Sequence, residues 1–179
     1  DEVALGIFVE VEEVIGRFFQ LARGRAAGYT LKLPAQERHL TSRSEFMSEL
    51  SSLLGGFCAE KLVFGEITTG ASNDLEKSSA LARKLVKEYG MSEKLGPIAF
   101  GEKEELVFLG KELGEQRNYS EQVAAKIDEE VAAFIGDAQK KAQLVLKNKR
   151  KLLDKIANAL AEKETIEREE FEKLVGIKR

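Results

Sequence analysis

The apolar positions of this chain change period from one end to the other. Residues 1–16 mix Val, Ile, Leu and Phe with glutamates without a clean repeat, so helix and strand compete there. Phe18 and Phe19 favour an extended start, residues 23–28 (Arg-Gly-Arg-Ala-Ala-Gly) read as a loop or bulge, and Tyr29-Thr30-Leu31-Lys32-Leu33 alternates strictly. Tyr29, Leu31 and Leu33 therefore share one face of a strand, which Pro34 ends by removing the next ladder donor. From Ser44 the spacing becomes three and four. Phe46, Met47, Leu50, Leu53, Leu54, Phe57, Cys58 and Leu62 form a wide stripe that predicts one helical segment to Leu62. Gly55-Gly56 inside it costs about 1 kcal/mol per glycine against alanine, a cost that close packing of another backbone would justify.

A polar turn, residues 65–72, separates this stripe from the next helix. Asn73 followed by Glu76 has the reciprocal capping spacing, so that helix is expected to open at Asn73 and to run to Tyr89, with Gly90 as its left-handed stop. Its buried face would be Leu75, Ala82, Leu85, Val86 and Tyr89. Residues 99–118 show no period and read as loop. After Tyr119, Val123, Ile127, Val131, Phe134, Ile135, Ala138, Ala142, Val145 and Leu146 trace a long helix. Leu152, Leu153, Ile156, Ala159 and Leu160 trace a second, and Thr165 caps a short last one carrying Phe171, Leu174 and Val175.

Composition adds limits. The 179 residues are enough for one domain, or one compact core plus a helical appendage, with roughly 70 % of the unfolded surface buried and no need of a staple. A net charge of −3 with both signs mixed argues against a nucleic-acid partner. The single cysteine, Cys58, has no internal partner, which suits a reducing compartment; its place on the apolar stripe makes it a small core residue. No apolar run approaches the ~20 residues of a membrane span, the first residues do not read as a signal peptide, and a start on Asp1 reads as a fragment or excised domain.

Several stretches resemble the peptidase domain of FtsH-type ATP-dependent zinc metalloproteases. They are Arg-Gly-Arg-Ala-Ala-Gly-Tyr-Thr-Leu-Lys-Leu-Pro from Arg23, Leu-Leu-Gly-Gly-Phe-Cys-Ala-Glu-Lys-Leu-Val-Phe-Gly-Glu from Leu53, and Thr-Thr-Gly-Ala-Ser-Asn-Asp-Leu-Glu from Thr68. Gly-Met-Ser-x-x-Leu-Gly-Pro from Gly90 and the Asn-Tyr-Ser-Glu and Ile-Asp-Glu-Glu-Val runs follow in the same order. The likeness spans residues 23–175. It implies an α+β, mainly α fold: a small N-terminal sheet feature followed by a helical bundle. Residues 1–118 would be the peptidase-like core and residues 119–179 a C-terminal bundle of the same domain.

It also implies a zinc endopeptidase acting on polypeptides, a homo-hexameric ring, an ATPase module and membrane anchor outside this chain, and a place on the cytoplasmic side of a membrane. Asp74 would be the third zinc ligand; read from the helix alone, it is a surface acid matched to the helix dipole. Gly28, Tyr29, Thr30 and Leu31 would border the cleft and accept substrate as an added strand, where the bland alternative is an ordinary sheet strand.

The rest of the metal set is incomplete. The family's zinc helix carries His-Glu-x-x-His, two imidazoles one turn apart with a glutamate as general base. Counting back from Arg23 places it on Asp1-Glu2-Val3-Ala4-Leu5, where Glu2 keeps the base position but Asp1 and Leu5 stand for the histidines. Asp1 offers a weak oxygen ligand and Leu5 none. The single histidine, His39, reads as a solvated loop residue. Zinc and ATP are thus implied by the family, zinc without its usual ligands and ATP only in another module. Without them, the chain reads as a peptidase weak or inactive as written, or as a pseudoprotease that keeps assembly and peptide binding.

Overall fold

In the computed structural model, the described residues are 40–101, 118–163 and 165–176. They form helices α1 (Arg43–Leu53), α2 (Gly55–Val63), α3 (Ser72–Lys87), α4 (Glu121–Asn148), α5 (Arg150–Lys163) and α6 (Arg168–Val175), with a 3₁₀ turn at Thr69–Ala71. The expectation of a mainly helical chain holds, and among the described residues there is no strand. The small N-terminal sheet, with Tyr29–Leu33, lies outside the described residues, as does most of the loop read at 99–118.

Helix α1 begins one residue before the expected Ser44 because Ser42 caps it. The Ser42 hydroxyl accepts the Glu45 N–H at 3.3 Å and the Glu45 carboxylate accepts the Ser42 N–H at 2.7 Å, so two orphan donors are satisfied reciprocally. The stripe read as one segment to Leu62 divides at Leu54 (φ −82°, ψ −3°), where the weak helix formers Gly55 and Gly56 follow. Backbone crowding is not the reason for Gly56: a Cβ there would meet nothing within 4 Å. Opening at Ser72 rather than Asn73, α3 has Ala71 as its uncapped N-cap and ends at Lys87. Gly90 has φ +59°, as expected of the stop, and its Cβ would sit 3.2 Å from the backbone of Pro97 and Ile98. Thr165 does not cap α6; that position belongs to Glu167.

Among the described residues the 28-residue α4 is the central helix, packed by α1, α2 and α3. Its inward stripe of Ile127, Val131, Phe134, Ala138, Ala142 and Leu146 is buried. Ala138 and Ala142 are wholly covered, as are Ala59 of α2 and Ala82 of α3, and these small side chains let the helix backbones approach closely. Leu50, Leu54, Leu85 and Val86 fill the remaining space. Burying each such leucine stabilises the fold by about 1.5–3 kcal/mol. Tyr89, expected inside, is 47 % exposed, with its ring stacked on Phe46 at 5.5 Å. α5 extends this core through Leu153 and Ile156, and α6 packs on α5.

Two connections lie on this frame. Residues 88–101 return from α3 through bonds from the Met91 N–H to the Leu85 carbonyl (2.9 Å) and from the Phe100 N–H to the Lys87 carbonyl (2.7 Å). Residue 101 then meets residue 118: the Gly101 N–H donates to Asn118 Oδ1 at 2.9 Å, and Phe100 meets the Tyr119 ring edge-on at 5.9 Å.

Candidate functional site

Residues 64–71 link α2 to α3 and are exposed except for Ala71, which is buried and pins the turn to the helices. Glu60, in the last turns of α2, reaches across this link. One carboxylate oxygen accepts the Thr68 N–H at 2.9 Å and the other accepts the Thr68 hydroxyl at 3.0 Å. The same hydroxyl oxygen accepts the Gly70 N–H at 3.1 Å and so caps the 3₁₀ turn. A Cβ on Gly70 would stand 3.2 Å from Thr68 Oγ1 and 3.3 Å from Glu60 Oε1, so glycine keeps this knot compact. The knot fixes where the chain enters α3.

Asp74 is the acid of the first turn of α3, half-buried, at the end where the helix dipole favours a carboxylate. Leu75 beside it packs on the core, and its carbonyl accepts the hydroxyls of Ser78 (2.9 Å) and Ser79 (2.8 Å). On the link itself Phe64 and Ile67 are exposed, at 70 % and 50 %.

Asp74 offers an oxygen to a metal, but the described residues bring no group of three or more His, Cys, Asp or Glu together around any point. Asp1, Glu2, Gly28, Tyr29, Thr30, Leu31 and His39 lie outside the described residues. With one histidine in the 179 residues, these residues do not by themselves supply the two imidazoles of a His-Glu-x-x-His zinc site. Cys58 is the core residue that its pattern suggested. Its thiol is 1 % exposed, its Sγ lies 3.9 Å from the Gln139 carbonyl oxygen, and burial pushes its pKa up to about 11 against the opposing pull of Lys61.

A second polar cluster escaped the sequence reading. Glu130 sits on the buried side of α4, where its carboxylate accepts the Ser92 hydroxyl at 2.7 Å and pairs with Lys94 Nζ at 2.8 Å. The bond from Lys94 and then that from Ser92 hold the Glu130 carboxyl below the usual range, while Glu130 raises the Lys94 ammonium. Arg43, the first residue of α1, pairs with Glu93 at 3.1 Å and lies 5.3 Å from the centre of the Phe134 ring. The cluster ties the 90–97 loop to α1 and α4, away from the Asp74 turn along α3. Its signal in the sequence was an acid three residues after Ile127 and four before Phe134, on the apolar stripe.

Residues 4–174 match the profile of Peptidase family M41. The chain belongs to that family. An ATP-dependent zinc metalloprotease FtsH 1 from Thermoanaerobacter sp. is 53 % identical over 154 residues, covering 86 % of this chain and 25 % of that protein. From Thermotoga maritima, an ATP-dependent zinc metalloprotease FtsH is 48 % identical over 165 residues, covering 92 % of this chain and 27 % of that protein. The protein of the same name from Caldicellulosiruptor bescii is 50 % identical over 155 residues, 87 % of this chain and 25 % of its own length. This M41 chain thus spans about a quarter of the length of the curated relatives it matches. The Asp74 turn and the Glu60 knot both fall inside the matched range. Among the described residues, no helix is long and apolar enough to cross a membrane.

Proposed function

We propose that this chain is the proteolytic portion of an ATP-dependent zinc metalloendopeptidase acting on unfolded and membrane polypeptides, weak or inactive as written because it lacks both zinc histidines. The observation that carries this reading is the knotted turn that delivers Asp74 at the start of α3, in a chain of Peptidase family M41. In this reading Asp74 is one zinc ligand, and Gly28, Tyr29, Thr30 and Leu31 take the substrate backbone as an added strand. Glu2 would stand at the general-base position, and Asp1 beside it in sequence would offer a weak oxygen ligand. ATP hydrolysis and membrane anchoring on the cytoplasmic face belong to segments outside these residues. A homo-hexameric ring is the working assembly. Residues 1–118 and 119–179 are two parts of one domain.

One observation favours a second reading, a pseudoprotease that keeps ring assembly and peptide binding: the 179 residues carry a single histidine. Zinc stoichiometry after loading and dialysis, measured with cleavage of an unfolded protein, separates the two. About one zinc per chain and chelator-sensitive cleavage, both lost in Asp74→Ala, support the peptidase. Retention of no zinc by either protein, with ring assembly intact, supports the pseudoprotease. A coding sequence that reads His-Glu-x-x-His before Asp1, or in another frame over the first residues, would restore the missing imidazoles.

A further inference from the structure

We draw no further inference here: the strongest candidate, the exposed apolar pair Phe64 and Ile67 on the link between α2 and α3, carries nothing because no feature of the structure shows what covers it.

Discussion

The Ser92 hydroxyl donates to the Glu130 carboxylate at 2.7 Å inside the helical core, and with the Lys94–Glu130 pair this contact fastens the 90–97 loop to the central helix. Ser92 also accepts the Leu95 N–H at 3.1 Å, so the one hydroxyl satisfies both a buried acid and the turn that follows it. A buried acceptor deprived of its donor costs about 1–3 kcal/mol. Ser92→Ala is therefore expected to lower the unfolding free energy by about that amount, read from the urea midpoint at unchanged slope.

The same contacts set a dependence on acid. Glu130 titrates below its ordinary value of about 4.3 in the folded protein. Its contribution to stability is complete above that ordinary value and is lost as pH falls through the lower folded value. Glu130→Gln should flatten this limb of the stability–pH curve, measured by urea unfolding between neutral and acid pH. An unchanged acid limb would remove Glu130 from the account. Lys94 works in the opposite sense. Its raised pKa means that its share is present below about 10.4 and is lost as pH rises through the folded value.

At the Asp74 turn, Glu60→Ala removes both acceptors of the two-point grip, and Thr68→Val removes its hydroxyl half. Because Thr68 is exposed, the stability loss should be modest, about 0.5–1.5 kcal/mol. The local effect should be larger than the global one. Hydrogen exchange at Gly70 and over the first turn of α3 is expected to speed up well before exchange at Leu85 or Val86 changes. Equal acceleration throughout would mean that the knot holds the whole fold rather than this turn.

Three glycine-to-alanine substitutions should give three different results. Gly56→Ala adds a methyl to open space within α2 and is expected to stabilise by about 0.5–1 kcal/mol. Gly96→Ala has room but a φ of +75°, and should cost about 1–2 kcal/mol from backbone strain. At Gly90 the methyl also crowds the backbone of Pro97 and Ile98, so Gly90→Ala should be the worst of the three. Their thermal midpoints decide the order.

Cys58 should resist thiol reagents in the folded protein. Covered by the core and titrating at about 11, it offers almost no thiolate at pH 8, while in unfolded chain an ordinary cysteine titrates near 8.5. Labelling with a thiol reagent should therefore track unfolding. Fast labelling under native conditions would show that α2 opens away from α4.

The long apolar stripes of α3 and α4 were legible because each repeats over many turns, and periodicity survives a few exceptions. Helix ends were less so, and two look-alike sequences show why. Ser42-x-x-Glu45 and Asn73-x-x-Glu76 have the same capping spacing, yet only the first forms the box. At the second, the 3₁₀ turn capped by Thr68 has already started the helix, so Asn73 lies within it. The partners of Glu60 and Glu130 were illegible for another reason. Thr68 is eight residues from Glu60, and Ser92 is thirty-eight from Glu130, so tertiary placement rather than local spacing chose them. Asp74, by contrast, was singled out through its motif.

The grip of Glu60 on Thr68 gives Asp74 an address inherited from α2, and α2 takes its own from α4 through Cys58, Ala59 and their neighbours. A displacement along that path bears on where the acid stands. Conservative changes deep in the α2–α4 seam, such as Ala142→Val, thus belong among the substitutions that can shift the position of Asp74.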